Sequence, residues 1–137
     1  MHDTDTTQDA ERLALPLPTK GNKGFLDQPV TLERRHVPIP EWGITVILRE
    51  LTAEEKQAYE ASIVSFDKQG RPKINSKDAA LRLIVASAED ENGERFFDGG
   101  DVPRLRKQPG ALIDRLFRTA KQLSAIDEEE FDRLKNG

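Results

Sequence analysis

The chain has 137 residues, 34% charged and 36% hydrophobic, with a formal net charge of -4. That length fits one domain with a modest core, and the acidic balance excludes a general nucleic-acid binder, which needs clustered Lys and Arg against phosphate. The absence of cysteine excludes disulfides, thiolate metal sites, CxxC redox chemistry and a cysteine nucleophile.

The opening stretch MHDTDTTQDAERLALPLPTK has no basic segment followed by an apolar one, so it does not read as a secretory signal. No apolar run approaches the ~20 residues that span a bilayer. The default expectation is a soluble cytoplasmic protein. Leu13, Leu15 and Leu17 alternate, but Pro16, Pro18, Gly21, Gly24 and Pro29 interrupt any regular element. Residues 1–28 therefore read as a flexible arm, either ordered by a partner or without a role of its own. Residues 29–137 read as a single α+β domain.

Within that domain, VTLERRHV (30–37) alternates weakly and suits an edge strand. PIPEWG (38–43) reads as a turn, with two prolines lacking amide donors and Gly43 relieving the backbone. ITVIL (44–48) is β-branched and apolar on both faces, a strand covered on both sides. Thr52 and Glu55 then form a T-x-x-E capping box, opening a helix over 53–66. Ala58, Tyr59, Ser62, Ile63 and Phe66 share one face of it. DKQGRPKINS (67–76) reads as a loop, with Ser76 capping the next helix, 77–90. Ala80, Leu81, Ile84, Val85 and Ala88 form that helix's stripe, and Leu83 off the stripe implies wide burial.

Asn92-Gly93 is a tight-turn signal followed by Phe96 and Phe97, consistent with a short β-excursion over 89–97. One or two helical turns are expected around Val102 to Lys107. Pro109 suits the first turn of a third main helix over 109–124. Leu112, Ile113, Leu116, Phe117, Ala120 and Leu123 make its apolar stripe. Asp127 caps a short terminal helix, with Glu130 three residues later, Phe131 and Leu134 apolar, and Lys135 favourable to the dipole. The expected architecture is α+β and mostly helical, an N-terminal β-hairpin packed on a bundle of three to five helices.

Candidate chemistry is sparse. His36 lies beside Arg34 and Arg35 in no ligand spacing, and reads as a solvent-facing strand residue rather than a base or phosphate contact. The acids from Asp127 to Asp132 lack the glycine and alternating ligands of a calcium loop, and the macrodipole explains acids at a helix start. DENGERFFDGGD also misses that calcium spacing. Arg71 with Lys73, and Arg104 with Arg106 and Lys107, are small basic clusters, either contacts for phosphate or an acidic partner or, more commonly, solubilising surface. No catalytic, metal or cofactor site is expected. Trp42 is either a half-packed cap on the core edge or a partner anchor. The terminal segment with Ile126, Phe131 and Leu134 either packs back or offers an apolar face to another chain. These four are the candidate partner-binding residues.

The order of pieces resembles the tail assembly chaperones of long-tailed bacteriophages and related prophages. The resemblance is carried by Val37, Pro38, Ile39, Pro40, Glu41, Trp42 and Gly43, then Arg49, Glu50, Leu51, Thr52, Ala53, Glu54 and Glu55. DENGERFF, DVPRL, ALIDRLFRTAKQLSAI and the acidic terminal helix follow, so the likeness covers about residues 30–136. It implies a non-enzymatic chaperone that binds the tape measure protein and helps recruit major tail tube protein subunits. It would act in the cytoplasm of the bacterial host and be absent from the mature virion. A longer form made by ribosomal frameshifting is a further implied partner, this chain corresponding to the shorter product. No membrane contact is implied, and nucleic acid is not an expected partner. Three alternatives stay open: a structural tail-completion or connector protein, a small nucleic-acid-binding regulator using Arg34, Arg35, Arg71 and Lys73, and a hydrolase relying on His36.

Overall fold

The computed structural model describes residues 15–136, apart from the side chains of Ser76, Glu128, Phe131, Lys135 and Asn136. The chain divides into two units, one ending at Thr31 and one beginning at Leu32. The described part of the first carries one 3₁₀ turn, Gly24–Asp27, where the Gln28 amide donates to the Phe25 carbonyl at 3.2 Å. Leu15, Leu17, Phe25, Leu26 and Val30 are exposed there, Val30 at 74%. The expected arm begins before residue 15, outside the described residues.

The second unit opens with an antiparallel hairpin, β1 (Arg34–Ile39) and β2 (Ile44–Arg49). Its register runs from Arg34 opposite Arg49 to Ile39 opposite Ile44. Strand alternation sends Val37, Ile39, Val46 and Leu48 to one buried face. The turn is shorter than PIPEWG predicts, because Pro38 and Ile39 continue the strand. Ile39 is 0% exposed, and burying such a side chain is worth roughly 1.5–3 kcal/mol. The turn contracts to residues 40–43, where the Trp42 amide donates to Ile39 O at 3.0 Å and Gly43 takes φ 67. β2 is also less evenly covered than predicted: Val46 and Leu48 are buried, whereas Thr45 is exposed and Ile47 half-buried.

Helix α1 (Ala53–Ile63) starts on the predicted capping box. Thr52 Oγ1 accepts from the Glu55 amide at 3.2 Å, and Glu55 Oε1 accepts from the Thr52 amide at 2.9 Å. The helix ends three residues earlier than expected. Val64–Phe66 is instead a strand, β3, paired antiparallel with β4 (Pro72–Ile74). The intervening turn is built by Asp67, whose Oδ1 accepts the Gln69 and Arg71 amides at 2.9 Å each, and by Gly70 at φ 79. A local aspartate-centred turn thus outcompetes one more helical turn, and Phe66 ends exposed rather than on a buried helix face.

Helix α2 (Ser76–Ser87) takes Asn75, not Ser76, as its N-cap, with no side-chain cap bond. Leu81, Leu83, Ile84 and Val85 are all buried, the wide burial its sequence implies. The chain then enters β5 (Ala88–Glu89), which pairs with β2 and gives a three-stranded antiparallel sheet in the order β1-β2-β5. β1 is an edge strand, so Pro38 costs that outer edge only a donor. The predicted Asn-Gly turn closes at Gly93, φ 80, whose amide donates to Asp90 O at 3.1 Å. Beyond it Glu89 bridges to Arg95.

A 3₁₀ turn (Gly99–Asp101) leads into α3 (Val102–Leu105). Helix α4 (Gly110–Leu123) follows with Pro109 at its N-cap, and buries Leu112, Leu116, Ala120 and Leu123. The apolar faces of the hairpin, α2 and α4 form one core. Ser124 Oγ accepts the Leu51 amide at 3.0 Å, tying the end of α4 to the start of α1. Helix α5 (Glu128–Asn136) is capped by Asp127, whose Oδ1 accepts the Glu130 amide at 2.9 Å. The second unit is thus an α+β, mostly helical domain, with five α-helices among its described residues and the hairpin packed on them.

Candidate partner-binding groove

The hairpin turn is where the sheet meets the loops that precede α4. Glu41 accepts from one Arg115 nitrogen at 3.0 and 3.1 Å, which fixes the turn to α4. Its own backbone amide, and then Arg115, hold the Glu41 carboxyl below the usual range. Next to it, Trp42 is half-buried, and its Nε1 donates to Gln108 Oε1 at 2.7 Å. The indole polar atom is therefore satisfied within the domain, as buried Trp N–H groups require. The indole meets Phe97 edge-on, ring centroids 6.2 Å apart and planes at 77°. Phe97 in turn contacts Phe96 at 4.7 Å.

These rings line an open groove of about 340 Å³, together with Ile44, Leu105, Gln108 and the rim pair Asp101 and Arg104. Leu105 is buried in its floor, whereas Ile44 is 43% and Phe96 41% exposed. Arg104 donates to Asp101 at 3.2 Å, so the rim charges are matched to each other. An aromatic floor with one committed amide and a charge-balanced rim suits apolar side chains from a partner.

The other expected contact residues lie elsewhere. Ile126 is 3% exposed and belongs to the core; it offers a partner no surface while the fold is intact. Ala125, at φ 54, reverses the chain so that Ile126 points inward. Leu134 is half-buried against the same core, and the Phe131 side chain lies outside the described residues. The groove instead brings Trp42 together with Ile44, Phe96 and Phe97, which sequence spacing could not connect. The usable signal was two adjacent phenylalanines after a tight turn in a chain of eight aromatic residues (one Trp, one Tyr, six Phe).

The residues of the alternative hypotheses are also placed. Arg34 is paired with Glu89, Arg71 with Asp67 at 2.8 Å, and Arg35 donates to Gln122 at 3.0 Å. Such pairing draws these cations away from phosphate. His36 is exposed on β1 opposite Ile47. Among the described residues, no three His, Asp or Glu side chains converge as metal ligands would, and no helix is long and apolar enough to cross a membrane.

A small hairpin-and-helix domain presenting an aromatic groove has the features of a protein-binding module. A family model described as phage tail assembly chaperone matches residues 25–133, and the chain belongs to that family. Among solved structures, the tail assembly chaperone of bacteriophage HK97 aligns with a TM-score of 0.51 at 20% identity. The alignment covers 86% of this chain and 95% of that one, and the likeness is one of fold. No curated protein matches the sequence. A role in phage tail assembly, and with it interaction with tail proteins, follows from the family.

Proposed function

We propose that this chain binds the tape measure protein, keeps it soluble, and helps recruit major tail tube subunits around it. The observation that carries this is the Trp42 groove, where Ile44 and Phe96 leave apolar surface exposed on a tail assembly chaperone. A long apolar helix presents side chains at i, i+3 and i+4, the pattern that helix-in-groove binding uses. The exposed Leu15, Leu17, Phe25, Leu26 and Val30 add apolar surface for the same client. The chain acts without chemistry of its own, in the cytoplasm of the bacterial host, and leaves before the virion is complete. A longer frameshifted form shares the work.

Co-expression tests this directly. The tape measure protein should be soluble when made with this chain and largely insoluble when made alone. Equal solubility in both cases would remove the client assignment. Mass spectrometry of purified particles separates the connector alternative, because a chaperone should be missing and a connector present at fixed copy number.

A further inference from the structure

A second concavity, of about 500 Å³, lies between α1, α2 and the segment from Arg95 to Arg106. It shares no lining residue with the Trp42 groove. The short segment around α3 separates the two: Gly99, Val102, Pro103 and Arg106 face this concavity, whereas Asp101, Arg104, Leu105 and Gln108 face the aromatic one. Those spacings of three and four are the opposite sides of one helical turn.

The charges of the concavity do not cancel. Its two carboxylates are already committed. Asp78 accepts from Arg106 at 2.7 and 3.1 Å, and Glu55 accepts from Arg49 at 2.8 Å and from the Thr52 amide at 2.9 Å. Arg82 and Arg95 also line it, and among the described residues neither forms an ion pair. Of the described arginines only Arg118 shares that condition, and it lies outside this concavity. Ala58, Val85, Ala86, Val102 and Pro103 give the wall its apolar part, and the Tyr59 and Ser62 hydroxyls that also line it donate to backbone carbonyls of the domain.

We infer that this concavity takes an acidic, amphipathic segment of a protein partner, its carboxylates on Arg82 and Arg95 and its apolar side chains on the wall. Guanidinium groups match carboxylates in planar, two-bond geometry. A nucleic acid fits less well, because it would leave the apolar wall unused. The site is independent of the tape measure assignment, and it gives the domain two faces of different chemistry.

The test uses the full chain and a labelled 15-residue amphipathic peptide of Glu, Ala and Leu, read by fluorescence anisotropy. A copy with Gln for Glu and a 20-nucleotide single-stranded DNA are the comparators. The Glu peptide should bind, and the Gln peptide should bind roughly tenfold more weakly or worse, as expected for lost charge-assisted hydrogen bonds. Arg82→Glu and Arg95→Glu should each weaken the Glu peptide about tenfold or more, and Arg118→Glu by less than about twofold. All three arginines are exposed, and thermal melts verify that each variant folds. No binding of the Glu peptide, equal binding of the Gln peptide, or an equal effect of Arg118→Glu would overturn the inference. So would DNA binding tighter than the peptide's and abolished by Arg82→Glu.

Discussion

Trp42 directs its polar atom into the domain and part of its ring outward. The Nε1–Gln108 bond holds the indole in the groove wall, and Phe97 meets it edge-on. Trp42→Phe keeps an aromatic face but deletes the donor, leaving Gln108 to find water. A loss of about 1 kcal/mol is expected from one hydrogen bond of this kind, measured as a lower urea midpoint with an unchanged slope. The sequence marked Trp42 as a residue with two possible uses. The structure combines them, because a half-buried indole is both core edge and groove wall. Ile126 was ambiguous in the same way, but the left-handed turn at Ala125 that buries it has no signature in an Ala-Ile pair.

At the scale of elements, local rules worked where the interaction was itself local. The Thr52–Glu55 box was legible because both of its bonds close within four residues. Thr52→Ala should cost about 1 kcal/mol, seen in equilibrium denaturation. The β3–β4 hairpin was not legible, since Val64 to Phe66 continue a helical pattern until Asp67 turns the chain back. The docking of α5, against β4 and beside α1, likewise depends on distant partners. There Glu60 Oε2 is buried without a hydrogen bond, with Arg133 no nearer than 3.9 Å. Burial first, and then Glu130, raise the Glu60 carboxyl above its ordinary value of 4.5. A carboxyl raised by folding adds stability in its protonated form, below the unfolded value, and that stability is lost as pH rises through the folded value. Glu60→Gln should therefore melt higher than the parent at pH 7, with the gap shrinking toward pH 4. A gap that does not change with pH would contradict this assignment.

Across the whole molecule, the fold was more legible than the surfaces it presents. Helical stripes such as Leu112 to Leu123 and the ITVIL strand define an α+β domain from periodicity alone. The Trp42 groove required residues 42, 44, 96, 97 and 105 to meet through tertiary packing, which no spacing encodes. The family supplies the setting in tail assembly, and the groove supplies a surface suited to an apolar helix. Phe96 is the most direct probe of that surface, because it lines the groove while remaining well exposed. The decisive measurement is co-purification of the tape measure protein with tagged wild-type chain and with Phe96→Asp, beside Phe66→Asp as a variant of an exposed phenylalanine outside the groove. The expected result is a stable complex with wild type and Phe66→Asp, and recovery reduced about tenfold or more with Phe96→Asp, since a charge there must be desolvated against apolar side chains. Undiminished recovery with a folded Phe96→Asp chain would contradict the groove as the binding site.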